Sequence, residues 1–235
     1  MHLWTVFPNL TKIVRKAHVS RKMAHGHDFD HAFAVAQLAQ TFWSDSSGQA
    51  WVAGICHNAD RMIAIDLGKP RGEVPAADVE VLVRSWLDTE PNLSEEEKQI
   101  IARAVLNHGR PNEESDDAVT IALKDADRVV NTRLDVIIRS AQFHSEQLVL
   151  DPVRLLSGEK VGRYNSRPTV MDALRDCLDW GDFNSPENAR FAVRTEKAKW
   201  MITEYVAELR AFLEKIVEQR RKEGLVPYPV EFARD

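Results

Sequence analysis

The sequence predicts an all-α fold, on three observations. Apolar residues recur at intervals of three and four along most of the 235-residue chain, as on helices with one buried face. The alternating apolar and polar residues of half-buried strands are nearly absent. Helix-start and helix-stop signals flank the periodic segments, as in Ser94 to Glu97 and at Gly109. We therefore expect one all-α domain with a long C-terminal helix, packed on that domain or on a partner.

Two helices are predicted in the first 60 residues. The first begins near Asp28 or Asp30, either of which can be its N-cap, and continues to about residue 43 with apolar residues at helical spacing. Residues 46–48 break it. Residues 49–59 then predict a second, mostly buried helix that ends in a cluster of polar side chains.

The middle of the chain predicts three more helices. Residues 68–75 form a loop by their glycines and prolines, and a helix follows over 76–87. A helix over 94–107 opens with the capping box and ends before Gly109. Residues 116–143 predict one long helix, because apolar residues recur along a single side of it.

The C-terminal third gives mixed signals. Residues 151–186 predict a loop or lid that contains a short helix over 170–178, and Ser185-Pro186 predicts the start of a final helix that continues to about residue 222. Its apolar stripe permits a homodimer as well as packing on its own chain. We therefore divide the protein into a helical domain (1–150) that carries the site, and a loop or lid plus long helix (151–235) packed on the same domain.

Composition narrows the classes of partner. The net charge of −5 and pI of about 5.9 give no global basic field, which argues against nucleic acid and anionic membranes. The N-terminus lacks a signal-peptide pattern, and no apolar run approaches the ~20 residues of a membrane span. Two distant cysteines fit a reducing compartment. We expect a cytoplasmic protein that does not enter a membrane.

Polar residues gather at the ends and inner faces of the predicted helices. Imidazole and carboxylate groups that converge from several helices suit a divalent transition metal such as Mn, Fe, Co, Ni or Zn. A single histidine at a helix end is more often a cap or a surface group, so the prediction rests on the set as a whole. The set comprises His27, Asp28, His31, His57, Asn58, Asp60, Arg61, His108, Asp125, Asp127 and Arg128.

Four segments of the sequence carry a family resemblance. In order, GHDFDHAFAVAQLA, AWVAGICHNADR, VLNHG and IALKDADRVVN resemble the HD superfamily of metal-dependent phosphohydrolases, over about residues 15–145. The resemblance implies an HD-domain-like helical bundle. It also implies hydrolysis of a phosphate ester or anhydride, on a nucleotide or another small phosphorylated molecule, with water activated by a divalent metal.

The resemblance also implies roles for individual residues. His31, His57 and Asp127 fall on the metal ligands of the family. His27 resembles a further histidine of the nucleotide-hydrolysing branch, and His108 resembles one that contacts a second metal or a phosphate. Asp125 and Asp127 face about 200° apart on a helix, so only one of them can point at the site.

Two positions depart from the family pattern. Ala34 stands where an arginine is usual, and Asn58 replaces the aspartate that gives the family its name. An amide is neutral and cannot take a proton, so we expect Asn58 to be a weak ligand or a hydrogen-bonding neighbour, with the metal weakly bound or absent. If the helix continues past His57, Asp60 lies on the same side and could replace the missing carboxylate. Otherwise Asp60 and Arg61 simply end the helix.

The leading hypothesis is therefore a phosphohydrolase of the phosphatase or pyrophosphatase type, with Asp60 as the candidate base. Arg61, His27, His108, Lys124 and Arg128 are candidates for substrate binding, although Lys124 and Arg128 could equally pair with neighbouring acids. The rival hypothesis is an HD-fold protein that has lost catalysis and binds a ligand or another protein. Asn58 and Ala34 favour the rival, and the retained histidines argue against it. The sequence leaves the substrate, the metal and the oligomeric state open.

Overall fold

A computed structural model describes residues 2–23, 27–151, 168–179 and 189–226. The predicted all-α class is confirmed: these residues form helices with turns and bends between them, and none of them belongs to a strand. An isolated bridge joins Leu148 to Thr169. No helix within the described ranges has the length and apolar character needed to cross a bilayer.

The helices of the described residues follow one another in chain order. They are α1 (Leu3–Val6), α2 (Pro8–Ser20), α3 (Phe29–Ala39), α4 (Ser47–Cys56), α5 (Ala59–Leu67), α6 (Ala76–Leu87), α7 (Glu95–Asn107), α8 (Ala118–Val130), α9 (Val136–Phe143), α10 (Val170–Asp179) and α11 (Glu196–Lys222). Two 3₁₀ turns, Ser44–Ser46 and Arg71–Glu73, precede α4 and α6.

Helices α3 and α4 form the centre of the bundle and share its most extensive helix contact. Small residues make their close approach possible. A Cβ added at Gly54 in α4 would lie 2.5 Å from the Cα of Ala36 in α3. The backbones therefore touch at this point, which fixes the spacing of the two helices that carry His31 and His57.

The predicted helix over 49–59 is interrupted at His57. The helix α4 ends at Cys56, and α5 begins at Ala59. The reason is competition for a carbonyl: the His57 imidazole donates from Nδ1 to the oxygen of Gly54 at 2.7 Å, while the His57 backbone N–H reaches it only at 3.5 Å. His57 and Asn58 thus occupy a kink between two helices.

The long helix predicted over 116–143 is also wrong as a single element, since it forms α8 and α9. Side chains take the last carbonyls of α8 at the break. The Thr132 hydroxyl donates to Val129 at 2.8 Å, and the Arg139 guanidinium, on α9, donates to the Val130 oxygen at 2.9 Å. The turn over 131–135 therefore separates the two helices, and the Arg139 side chain reaches back to the end of α8.

The ends of the chain add features that periodicity did not predict. Helices α1 and α2 pack on the core, and the buried Glu90 carboxylate accepts the N–H of Leu10 at 2.6 Å. The last helix starts at Glu196 behind a Thr195 cap. The start predicted at Ser185-Pro186, and most of the predicted lid, lie outside the described residues, while its short helix is present as α10.

The long helix α11 packs on its own chain, against α8 and α10. Its first half joins the main core through Ala198, Ile202 and Val206, and its second half forms a smaller apolar cluster with α9 and α10. The buried side of α11 comprises Ala198, Ile202, Val206, Leu209 and Leu213, whereas Phe212 is 38% exposed.

Candidate metal centre

Three of the residues predicted to bind metal meet inside the bundle. One nitrogen each from His31 and His57 and one oxygen from Asp127 all lie within 4.8 Å of one another. Oδ1 of Asp127 is 3.3 Å from Nε2 of His31 and 3.9 Å from Nε2 of His57. Two imidazoles and a carboxylate are a donor set that suits a divalent transition metal.

Local structure explains the position of each of the three side chains in this group. The Asp28 side chain caps α3 by accepting the N–H of His31, which places His31 in the first turn. His57 follows α4 at the kink. Asp127 lies one turn before the end of α8, which packs against both α3 and α4.

The hydrogen bonding of His57 fits metal ligation. Its Nδ1 donates to the Gly54 carbonyl, so in the neutral ring Nε2 carries a free lone pair that faces Asp127. The ring is 1% exposed, and burial lowers the pKa of His57 to about 3. His57 is therefore neutral at physiological pH and able to bind a cation.

Asp127 is ionised and partly accessible. Burial alone would raise its pKa, but the contact with His31 and the electrostatic coupling to the neighbouring imidazoles hold the pKa of Asp127 well below its usual value. Its side chain is 25% exposed, whereas the His31 side chain is 1% exposed. The cluster of His31, His57 and Asp127 is thus open to water on its Asp127 side.

Arg139 contacts this cluster in two ways that sequence reasoning missed. Its Nη1 donates to the side-chain oxygen of Asn131, whose amide donates in turn to Oδ1 of Asp127 at 3.1 Å. The same Nη1 lies 3.4 Å from Nδ1 of His31. Because a guanidinium can only donate, it disfavours a proton on Nδ1, so His31 lacks the N–H to carbonyl support that His57 has.

The amide nitrogen of Asn58 makes hydrogen bonds that a carboxylate, as in the aspartate of the family, could not make. Nδ2 donates to the backbone oxygen of His27 at 3.3 Å and lies 3.5 Å from Nε2 of His18. His18 bonds through Nδ1 to the Val14 oxygen, so its Nε2 is an acceptor. Two acceptors therefore face the NH₂ group, which fixes the amide orientation and gives a physical reason for an asparagine.

Buried polar atoms without a hydrogen bond mark the same place. Within the part of the chain that the structure describes, Nε2 of His31, Oδ1 of Asn58 and Nδ1 of His27 are buried and have no hydrogen-bond partner. Such atoms are rare in folded proteins and call for a missing partner such as water or an ion. Nε2 of His57, Oδ1 of Asn58 and the Asp127 carboxylate therefore fit a bound cation. Nε2 of His31 joins them only in the tautomer with the proton on Nδ1, which Arg139 disfavours.

Asp60 does not take the place of the missing carboxylate. The kink at His57 ends the helical register on which that hypothesis depended. Asp60 forms an ion pair with Arg71, and its other oxygen accepts the N–H of Arg61 at 2.7 Å. The Asp60 carboxylate is therefore engaged at the rim, and a role as metal ligand or free base has no support here.

His27 and His108 border the cluster on opposite sides. The His27 ring lies 5.3 Å from the His31 ring, and the His108 ring lies 5.4 Å from the His57 ring. Burial lowers the pKa of both, so both are neutral. Arg61 is close enough for its charge to lower the pKa of His27 further.

Lys124 and Arg128 are not brought to the site, which corrects their predicted substrate-binding role. The Lys124 ammonium is fully buried and donates to Asp116 at 2.7 Å and to the Pro111 oxygen at 2.8 Å. Arg128 donates to Asn112 at 2.7 Å and to the Ala192 oxygen. Both side chains are thus bound to these partners, and both hold neighbouring segments together.

Asp125 has a structural role on the other side of α8. Its oxygens accept the backbone N–H groups of Arg194 at 3.0 Å and Thr195 at 2.7 Å, at the start of α11. The helix thus presents one aspartate to the cluster and the other to α11, as the two-residue spacing requires.

Comparisons with known proteins support the fold alone. No protein-family model and no curated protein matches this sequence. The fold is similar to the crystal structure of a structural-genomics target from Lactobacillus plantarum, with a TM-score of 0.62 and 13% identity, over 93% of this chain and 98% of that chain. At such low identity the likeness carries no information about activity.

Proposed function

We propose that this protein is a metal-dependent phosphohydrolase that acts on a nucleotide or another small phosphorylated molecule. The observation that carries the proposal is the convergence of His31, His57 and Asp127 within 4.8 Å. The order and spacing of the motifs that resemble the HD superfamily add to it. The two buried thiols, Cys56 and Cys177, are in keeping with a cytoplasmic location.

Each residue around the cluster has a separate role in binding the substrate or in hydrolysis. A divalent ion held there supplies the Lewis acidity that lowers the pKa of water and polarises a phosphoryl oxygen. His57 offers a neutral nitrogen, and Asp127 offers a charge that balances the ion. The exposed edge of Asp127 gives water and substrate their approach. His108 adds a neutral imidazole beside His57.

Two features predict weak metal binding. Asn58 contributes no charge, and its amide nitrogen is committed to His27. Arg139 places a positive charge 3.4 Å from His31, which opposes the approach of a cation. These features favour the second candidate, an HD-fold protein that has lost catalysis and binds a phosphorylated ligand.

Metal analysis tests the proposal. Protein purified without chelator or metal-affinity resin is dialysed to equilibrium against Mn²⁺ or Ni²⁺, so that weakly bound ions are counted, and bound metal is determined by difference from the dialysate. The metal-loaded protein is then screened against phosphomonoesters and pyrophosphates. Asp127→Asn is compared with Asp117→Asn, a change on the same helix that keeps a good N-cap. We expect near one equivalent of metal in the wild type and in Asp117→Asn, and loss of both metal and hydrolysis in Asp127→Asn.

Other results separate the two candidate functions. Metal that is bound through Asp127 without hydrolysis of any phosphorylated compound would favour the ligand-binding protein. Equal metal content in Asp127→Asn and the wild type would show that the cluster is not the metal site.

A further inference from the structure

We infer that Arg71, which lies outside all the family-like motifs, binds the phosphoryl group of the substrate at the mouth of the metal centre. The inference rests on the proposed function and identifies the group that recognises the anionic part of the substrate. It comes from the way two separate segments, the start of α5 and the residue after α7, hold one guanidinium beside the cluster.

The guanidinium of Arg71 is anchored on one edge. Its Nε pairs with Asp60 at the start of α5, and its Nη2 lies 3.1 Å from Nε2 of His108, which follows α7. His108 donates through Nδ1 to the Val105 oxygen, so its Nε2 accepts from the arginine. The His108 ring in turn lies 5.4 Å from the His57 ring. One imidazole therefore separates the guanidinium from a metal ligand.

The other edge of the guanidinium has N–H groups to offer. Within the described residues Nη1 of Arg71 makes no hydrogen bond, and the side chain is 38% exposed. Lys124 and Arg128, by contrast, are buried and bound to other groups. The guanidinium of Arg71 is held at its Nε and Nη2 edge and free at Nη1. It is therefore preorganised for a phosphate, because little side-chain entropy remains to be lost on binding.

Gly109 leaves room for this placement. A Cβ at position 109 would lie 2.8 Å from Nη2 of Arg71, tighter than any ordinary contact. Gly109 has no left-handed backbone, so alanine there fits the chain and acts only by moving the guanidinium. The glycine that the sequence marked as a helix stop therefore also makes room for Arg71.

The test uses inorganic phosphate as the probe on Mn²⁺-loaded full-length protein. Phosphate affinity is measured by calorimetry, and KM and kcat are measured with the best phosphomonoester found. Arg71→Gln and Gly109→Ala are compared with Arg21→Gln, a matched control whose guanidinium also pairs with a carboxylate of α5, Asp66. Arg71→Lys tests whether a point charge can replace the fork.

We expect Arg71→Gln to weaken phosphate binding and raise KM about tenfold to a hundredfold, the cost of a charge-assisted hydrogen bond, with unchanged metal content. Gly109→Ala and Arg71→Lys should cause smaller losses, and Arg21→Gln none. Unchanged phosphate affinity and KM in Arg71→Gln would overturn the inference.

The inference and the proposed function can fail separately. Arg71-dependent phosphate binding by a protein that hydrolyses nothing would support the role of Arg71 and contradict the enzyme. Hydrolysis that depends on Asp127 but not on Arg71 would support the enzyme and contradict the role of Arg71. Absence of both metal and phosphate binding in the wild type would overturn both.

Discussion

The side-chain amide of Asn58 donates a hydrogen bond to the backbone oxygen of His27, at 3.3 Å. In Asn58→Asp, a carboxylate would face that oxygen and the acceptor nitrogen of His18. We expect the metal-free variant to lose about 1–3 kcal/mol of unfolding free energy in urea titrations near pH 8, the cost of an unsatisfied buried group. The added charge should at the same time strengthen Mn²⁺ binding.

Asn9→Asp is the matched control, because Asn9 also donates to a carbonyl oxygen, that of Thr89, but is exposed. Its stability should change by less than about 0.5 kcal/mol, as expected for a surface position. An Asn58→Asp protein as stable as the wild type without metal would contradict the role assigned to the amide.

Gly54 determines how closely α3 and α4 approach. Gly54→Ala should destabilise the protein by more than about 2 kcal/mol in thermal or urea unfolding, because its Cβ would collide with the backbone of Ala36, which cannot move aside. Metal affinity should fall as His31 and His57 separate.

Gly48→Ala, in the same helix, provides the comparison. Its Cβ would meet only the end of the Phe7 ring at 4.0 Å, so helix propensity should make it neutral or stabilising by up to about 1 kcal/mol. Equal effects of the two alanines would show that the contact with Ala36 does not limit the packing.

Asp125 and Asp127 should behave differently when replaced. Asp125→Ala leaves two N–H groups at the start of α11 without their acceptor, so we expect a loss of about 3 kcal/mol or more in unfolding free energy. Metal stoichiometry of the folded fraction should not change. If Asp125→Ala lost its metal while keeping its stability, the two aspartates would have been assigned the wrong way round.

Acid should destabilise the metal-free protein before carboxylates titrate. Burial lowers the pKa of His57 from an ordinary 6.5 to about 3, so the unfolded chain takes up that proton first as pH falls. The stability is therefore complete above about pH 6.5 and decreases down to about pH 3. Urea unfolding in EDTA should show a loss of stability between neutral pH and about pH 5, to which His57 alone contributes up to about 2 kcal/mol.

His57→Gln supplies the reference for this pH dependence. The variant should show a shallower slope over the same range, because it lacks the group that is neutral when folded and charged when unfolded. A wild-type unfolding midpoint that stays constant from pH 7 to about 5 would contradict a buried neutral His57.

The sequence by itself determined the helical class, the approximate positions of most helices and the caps at Asp28 and Ser94. These depend on periodicity and on hydrogen bonds within a few residues, which are local properties. The resemblance of the four motifs predicts that His31, His57 and Asp127 converge, and the structure brings those three side chains together. Their role in binding metal stays a prediction.

Only the tertiary structure decided which neighbours each polar group meets. The kink at His57, the split between α8 and α9, and the pairing of Asp60 with Arg71 depend on contacts between distant segments. The partners of Lys124 depend on such contacts as well. Periodicity shows which face of a helix is buried, but the choice of partner for a charge depends on packing that brings residues far apart in sequence to within a few ångströms.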